Sequence, residues 1–292
     1  MRGTKSGSPA LLELIKLRRA SSYGAGPALD QALDVCRRLA AYGMASTMGY
    51  WAPDEPARAA ADVQLASFDR LSAENLDCYV SVKLRDLGFD AELFAELTSV
   101  AAQSGRRLHA DATEPETADA TLTLLESAPR QGSLGTTLPG RWHRSLGDSS
   151  RAMDLGLSIR VVKGHWTDDA DGNVDPTRGF LDVVDRLCGY QGGVGVATHN
   201  VRLLRESLRR LTQSGTPCEA ELLLGLPFRG ALIVAQEFGV PVRVYVMYGA
   251  AATNYGIADL IGHPATVWWL AQDLLWGKDK TWRSIQGSHM KR

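Results

Sequence analysis

The chain has 292 residues, 45% hydrophobic and 22% charged, and a formal net charge of -1 from Lys+Arg 32 and Asp+Glu 33. This balance gives no field that would attract nucleic acid or an anionic membrane, so we predict neither as a partner. No apolar run has the length of a membrane span, and the four cysteines lack metal-ligand spacing. We therefore expect a reduced, cytoplasmic protein without a metal site.

The chain begins with a basic amphipathic segment, about Pro9–Arg19, which we predict to be a helix packed against the rest of the protein. We interpret residues 1–22 as a helical extension, 23–277 as one large domain and 278–292 as a tail. The tail contains Gly287-Ser288-His289-Met290, which looks like a cloning remnant.

Short β-rich runs alternate with helical patterns along the chain, as is typical of a parallel sheet built from βα units. Strands are predicted at 45–49, 78–84, 107–112, 132–138, 158–163, 193–198, 219–224 and 242–247. Apolar residues at helical spacing predict helices at 28–42, 57–72, 91–103, 116–127, 178–187, 201–211 and 228–238. Glycines stand where helices should end, at Gly43, Gly105, Gly156, Gly215 and Gly239. Eight such strands predict an α/β fold, a TIM-like (β/α)8 barrel.

Polar residues close several of these strands. The fifth reads Ile159-Arg160-Val161-Val162-Lys163-Gly164, with two cations in a β-branched run and a glycine that admits close backbone approach. Because a strand buried on both faces is apolar throughout, we expect Arg160 and Lys163 to emerge where the strand stops. Active sites of such barrels lie at the carboxyl ends of the strands, so two cations there favour a phosphate-bearing cofactor.

These strand ends, in this order, resemble the proline dehydrogenase family, flavoenzymes on a (β/α)8 barrel that oxidise the C–N bond of proline. The matching segments are Ser81-Val82-Lys83-Leu84, Leu108-His109-Ala110-Asp111, Arg160-Val161-Val162-Lys163-Gly164, Ala197-Thr198-His199-Asn200, Glu221-Leu222-Leu223-Leu224-Gly225 and Arg243-Val244-Tyr245-Val246-Met247-Tyr248-Gly249. The resemblance implies a final helix that caps the active-site mouth. It implies FAD bound by Arg160, Val162, Lys163, Gly164, Thr198, His199 and Asn200.

The same resemblance implies catalytic roles for Lys83, Asp111, Tyr245 and Tyr255 around the substrate. Other interpretations of these residues stay open. Lys83 and Asp111 could form a structural ion pair in the barrel mouth, and Tyr245 could be a core aromatic residue with its hydroxyl bonded to the backbone. His199 could be a structural histidine.

The chain departs from the family at the substrate side. Where the family has a pair of arginines that bind the substrate carboxylate, this chain has Ala258 and Asp259. Losing two charge-assisted hydrogen bonds removes on the order of 3–6 kcal/mol of carboxylate binding. Asp259 adds repulsion and suits a cation or a hydrogen-bond donor, so we expect free proline to be a poor substrate.

Two further departures lie near the implied flavin. His165 and Trp166 stand where the family usually has Ala-Tyr, which brings an imidazole and a bulky indole to the substrate side. His165 could act as a catalytic acid or base, or it could fill space or anchor the loop. The fourth strand, Leu134-Gly135-Thr136-Thr137-Leu138, lacks the glutamine that contacts the isoalloxazine in the family.

Three functions follow as alternatives. The first is an FAD-dependent oxidoreductase that removes a hydride from a C–N or related bond of a small nitrogen-containing molecule other than free proline, with quinone or oxygen as electron acceptor. The second is a barrel without redox activity that acts as a binding partner. The third is a flavin-free lyase in which Lys83 forms a Schiff base, because a lysine at a strand end can serve as a nucleophile.

Overall fold

The computed structural model describes residues 24–51, 53–128, 133–226 and 228–250. Within these residues, eight parallel strands close into a barrel in sequence order, which confirms the predicted (β/α)8 architecture. The extension at 1–22, the implied capping helix and the tail at 278–292 lie outside the described residues. The strands are β1 (Ala45–Tyr50), β2 (Cys78–Val82), β3 (Leu108–Ala110), β4 (Leu134–Pro139), β5 (Ser158–Val162), β6 (Val194–Ala197), β7 (Cys218–Leu223) and β8 (Val242–Tyr248).

The described helices surround the barrel, one before β1 and one after each strand from β1 to β7. They are α1 (Leu29–Ala41), α2 (Ala57–Ser72), α3 (Ala91–Gln103), α4 (Ala118–Ser127), α5 (Ser145–Asp154), α6 (Pro176–Arg186), α7 (Val201–Gln213) and α8 (Arg229–Phe238). All but α5 were predicted. Helix α5 buries Ser145, Asp148, Ser149 and Ala152, so it shows no apolar periodicity that sequence patterning could detect.

The predicted glycine caps are confirmed. Gly43, Gly105, Gly156, Gly215 and Gly239 follow helix ends with φ between 63° and 71°, a left-handed conformation in which a Cβ is unfavourable. None of the helices in the described ranges combines the length and apolar character that a membrane crossing requires.

The apolar core lies between the barrel and the helices, not inside the barrel. Outward-facing strand residues such as Leu108, Val161, Val196 and Val244 are fully buried against the helices. Because side chains alternate along a strand, their neighbours point inwards. Many of those neighbours are polar or charged, whereas branched apolar residues usually fill such barrels. The inward-facing set includes Tyr79, Ser81, His109, Asp111, Arg160, Glu219, Glu221, Arg243 and Tyr245.

Candidate active site at the carboxyl ends of the strands

A cavity of about 310 Å³ opens at the carboxyl ends of the strands. Every strand of the barrel, or the residue just after it, contributes to the wall, as the fold predicts. Trp51 and Met247 form an apolar cluster there with Tyr245. The described lining consists of Trp51, Lys83, Asp111, Ala112, Thr137, Arg160, Val162, Gly164, His165, Trp166, Ala197, Thr198, His199, Glu221, Leu222, Leu223, Tyr245 and Met247.

Arg160 lies at the floor of this cavity, with its side chain only 4% exposed. Its Nε donates to Glu221 Oε2 at 2.6 Å, and its Nη1 donates to Asp111 Oδ1. Its Nη2 donates to the hydroxyl of Tyr79 at 2.9 Å. The guanidinium also faces the ring of Tyr245, 5.1 Å from its centroid. A buried cation needs such partners, because it has lost its hydration shell.

The expectation that Arg160 emerges at the end of β5 is therefore wrong. It is the third of five residues in the strand, and the strand alternation turns it into the barrel. Gly195 is its register partner on β6 and leaves room for this contact: a Cβ there would lie 2.1 Å from Glu221 Oε1. Arg160 bridges two carboxylates and is not presented as a phosphate ligand at a strand terminus.

Asp111 and Tyr245 form the part of this network that faces the cavity. The Tyr245 hydroxyl donates to Asp111 Oδ2 at 2.7 Å, and the Thr137 hydroxyl donates to Asp111 Oδ1 at 3.3 Å. Burial, and then the charge of Asp111, raise the pKa of Tyr245 well above its ordinary value. Tyr245 thus stays protonated, and its hydroxyl bonds to a carboxylate rather than to the backbone.

His109 was not singled out from the sequence as a site residue. It is 1% exposed, and its Nε2 lies 2.9 Å from Thr137 Oγ1. Burial, and then the charge of Arg160, hold the pKa of His109 well below its ordinary value, so the ring is neutral. Because the Thr137 hydroxyl donates to Asp111, it accepts from His109, which places the imidazole proton on Nε2. His109 thereby orients Thr137 towards Asp111.

Lys83 lines the cavity wall, with its Nζ 5.1 Å from the centroid of the Trp51 ring. Burial lowers the pKa of the Lys83 ammonium, and the charge of Asp111 opposes this effect. These two described residues form no direct ion pair, since Asp111 pairs with Arg160 instead. The structural Lys83–Asp111 pair considered above is not formed.

The segment after β5 supplies one side of the cavity. Val162, Gly164, His165 and Trp166 all line it, whereas Lys163 is not among the described lining residues. His165 is exposed at the rim, and its ring meets the Trp166 ring edge-on at 5.3 Å between centroids. The indole of Trp142 donates to the carbonyl of Trp166 at 2.9 Å, which fixes this segment.

The end of β6 supplies Thr198 and His199 to the cavity, but not Asn200. The Asn200 side chain accepts hydrogen bonds at 3.1 Å from the backbone of Arg202 and Leu203 and so caps helix α7. His199 Nε2 accepts from the backbone N–H of Leu223 at 2.8 Å, which fixes its ring. Lys163 and Asn200 are thus the predicted cofactor residues that the structure does not bring to the cavity. Tyr255, Ala258 and Asp259 lie outside the described residues.

Fold and site together define a (β/α)8 barrel with a ligand cavity at the carboxyl ends of its strands. No family model matches the chain. Proline dehydrogenase 1 of Bacillus subtilis subsp. natto is 23% identical over 274 residues, covering 88% of this chain and 90% of the relative. Proline dehydrogenase of Deinococcus radiodurans is 24% identical over 281 residues, with coverages of 88% and 90%.

Solved structures agree on the fold. Proline utilization A from Bdellovibrio bacteriovorus, inactivated by N-propargylglycine, matches with a TM-score of 0.73 and 15% identity over 84% of this chain. The protein of the same name from Corynebacterium freiburgense matches with a TM-score of 0.67 and 17% identity over 98%. The chain spans 32% and 35% of those two longer proteins. The chain is thus similar over most of its length to curated proline dehydrogenases, and its fold is that of the proline utilization A barrel.

Proposed function

We propose that this chain is an FAD-dependent oxidoreductase of the proline dehydrogenase type, acting on a C–N or related bond of a small nitrogen-containing molecule other than free proline. One observation carries the proposal: Lys83, Asp111 and Tyr245, which the family resemblance implicates in catalysis, converge on one largely apolar cavity. The curated relatives, which match over most of their length, support the same reaction class.

The chemistry of the lining suits a flavin. Val162, Leu223 and Met247 offer apolar surface for an aromatic ring system, and Thr198 and His199 offer polar groups at its edge. Bound FAD would supply the acceptor for the two electrons removed from the substrate. Arg160 is held at the floor by two carboxylates, so it would serve the ring end of the cofactor rather than its diphosphate.

The chain's own residues would position the substrate and move its proton. Removing a hydride from the carbon next to nitrogen requires the nitrogen lone pair, so a protonated amine must first lose a proton. Burial lowers the pKa of Lys83, so its amine is neutral more often than that of an exposed lysine and can accept that proton. Tyr245, fixed by its bond to Asp111, presents a rigid wall and an oriented hydroxyl.

Free proline is disfavoured for two separate reasons. The sequence has Ala258 and Asp259 where the family binds the substrate carboxylate with two arginines. The cation at the cavity floor, Arg160, is already bonded to Glu221 and Asp111. A carboxylate would thus find no arginine available in the described part of the cavity.

The test is a visible spectrum of the purified protein, before and after incubation with FAD, followed by anaerobic reduction with a panel of small amines. We expect flavin bands, bleaching by at least one amine that lacks a carboxylate, and proline slower by about two to four decades. A protein that stays colourless after incubation with FAD would contradict the flavoenzyme proposal. Efficient reduction by proline would contradict only its substrate part.

A Schiff-base lyase is the second candidate, favoured by the environment of Lys83. A lysine with a lowered pKa in a partly apolar cavity is a typical Schiff-base nucleophile. Borohydride reduction in the presence of small aldehydes and keto acids should then attach the carbonyl compound to Lys83, as read by peptide mass. The Lys83→Met variant is the control, and absence of an adduct at Lys83 in the native protein would exclude this function.

A further inference from the structure

The charged residues of the cavity do not balance around Arg160. The charged side chains in its described lining are Lys83, Asp111, Arg160 and Glu221. Arg160 is bonded to both carboxylates, so one guanidinium stands against two negative groups. Lys83, the other cation, forms no ion pair with either carboxylate, and burial favours its neutral form. The fixed charge of the described lining is therefore neutral at most, and negative once Lys83 loses its proton.

This arrangement is rigid, because its members are buried and bonded to one another. Arg160 and Glu221 are each 4% exposed and Asp111 is 12% exposed. All three nitrogens of the guanidinium have protein partners, with Tyr79 accepting from Nη2. An incoming carboxylate would have to displace one of these acceptors at low dielectric, which is costly.

The walls above the network suit a cation as well. Trp51, Trp166 and Tyr245 all line the cavity, and aromatic faces attract cations. The Lys83 ammonium already lies over the Trp51 ring at 5.1 Å. The Arg160 guanidinium faces the Tyr245 ring, so a second small cation would meet the Trp166 ring and the carboxylate excess together.

We propose that this cavity selects small organic cations, so that the substrate enters as an amine cation without a carboxylate, and that Glu221 is the residue that sets this preference. The assignment of the cavity as a substrate site rests on the proposed function above. Glu221 acts by compensating the positive charge of Arg160 at the floor of the cavity, while Asp111 compensates it on the side that faces the cavity. No contact between Glu221 and the substrate is required.

The first test uses three probes of the same shape and different charge: cyclopentanecarboxamidine (cation), cyclopentanecarboxamide (neutral) and cyclopentanecarboxylate (anion). Binding is measured by calorimetry at pH 8, above the ordinary histidine pKa of about 6.5, with and without added FAD. We expect the amidine to bind at least about tenfold more tightly than the carboxylate, a difference that calorimetry resolves easily. Equal binding, or tighter binding of the carboxylate, would overturn the proposal.

The second test compares two glutamates on the same strand. Glu221→Gln removes the carboxylate bonded to Arg160, whereas Glu219→Gln removes one that pairs with Arg243 at the opposite end of the barrel. We expect Glu221→Gln to lower the amidine-to-carboxylate affinity ratio by about tenfold, and Glu219→Gln to leave it unchanged. A ratio that responds equally to both variants, or to neither, would refute the role of Glu221. Should Glu221→Gln fail to fold, the probe series on the native protein still decides the cation preference.

The outcomes separate this inference from the proposed redox function. A protein that prefers the amidine but takes up no FAD keeps its cation selectivity and loses the flavoenzyme proposal. A yellow protein that binds the carboxylate most tightly, or is reduced fastest by an acidic compound, keeps its redox function and loses the selectivity. The probes are not substrates by design, so their binding does not depend on turnover.

Discussion

The two ends of the barrel interior hold the same kind of cluster, an arginine between two carboxylates, in different surroundings. At the carboxyl end, Arg160 pairs with Glu221 and Asp111, whose side chains are 4% and 12% exposed. At the amino end, Arg243 pairs with Glu219 at 2.8 Å and with Asp77 at 3.0 Å, but Asp77 is 74% exposed. Both carboxylates of the first cluster are largely buried, whereas one carboxylate of the second is open to water.

The groups that surround the two arginine clusters also differ. Arg243 also donates to the carbonyl of Ser46 at 2.8 Å, which ties β8 to β1. A cavity of about 180 Å³ at that end is lined by Arg107 and Glu219 among others. At the carboxyl end, Asp111 instead accepts from Tyr245 and faces the larger cavity. Since chemistry in such barrels is located at the carboxyl end and stability at the amino end, we expect the two similar clusters to serve different purposes.

The largest expected effect comes from removing each arginine in turn. Arg160→Met leaves two buried carboxylates without a cation, and we expect a loss of about 3–5 kcal/mol in the free energy of unfolding. Arg243→Met leaves only one partly buried carboxylate without a cation, because Asp77 is hydrated. We expect a loss of about 1–3 kcal/mol in the free energy of unfolding. Urea unfolding at pH 7, followed by circular dichroism, measures both.

Acid provides an internal check on this pair of variants. Without Arg160, the two buried carboxylates carry charge that no cation compensates, so acid, which neutralises carboxylates, should recover part of the lost stability. The recovery should be smaller for Arg243→Met. Equal losses at pH 7, or a larger loss for Arg243, would show that burial of the partners does not distinguish the two ends.

The next largest effect is expected from His109, as a dependence of the free energy of unfolding on pH. Burial, then the charge of Arg160, and then the charges of Arg107 and Arg243 hold its pKa well below the ordinary value. Below about pH 6.5 the unfolded chain binds a proton that the folded chain excludes, so stability should fall with decreasing pH by up to about 1.4 kcal/mol per pH unit. His109→Gln should remove this part of the slope.

The measurement is the free energy of unfolding at pH 7, 6 and 5 for the native protein and for His109→Gln. His143→Gln, at an exposed position, is the matched control. Parallel curves for the native protein and His109→Gln would mean that His109 takes up a proton in the folded state, which would contradict its assignment as a neutral ring.

The sequence predicted the strands well because each is a short β-branched or apolar run between turn residues. It did not predict what the inward-facing residues do. Glu219 and Glu221 stand two apart in β7, and two carboxylates at that spacing in a buried strand indicate a charged interior. His109 and Asp111 carry the same signal around β3, so a search for polar residues at a spacing of two would have found this network.

The hydrogen-bond partners of Arg160 could not be predicted from the spacing of polar residues along the chain. Its contact with Glu221 depends on the register of three strands, in which Arg160 stands opposite Gly195 and Gly195 opposite Glu219. Neighbours along the chain do not determine this register. The local sequence could also have indicated that Asn200 caps helix α7, since an asparagine just before a helix is a typical cap.

Tyr79 offers the smallest and most discriminating test, because it lies between the two clusters. Its hydroxyl accepts from Arg160 at 2.9 Å and donates to Glu221 at 3.2 Å, while its ring lies 4.6 Å from the guanidinium of Arg243. Burial raises the pKa of Tyr79 to about 12, so the hydroxyl stays protonated. Tyr79→Phe keeps the ring and removes the hydroxyl, and we expect a loss of about 1–2 kcal/mol by urea unfolding.

Double-mutant cycles then assign that loss to one end. Tyr79→Phe should couple to Arg160→Met by about 1 kcal/mol, because both changes remove the same hydrogen bond, and to Arg243→Met by less than about 0.5 kcal/mol. Similar coupling to both arginines would mean that the hydroxyl of Tyr79, the group that Tyr79→Phe removes, links the two ends. The barrel interior would then be a single electrostatic unit, and a change at the amino end would alter the charge presented to the cavity.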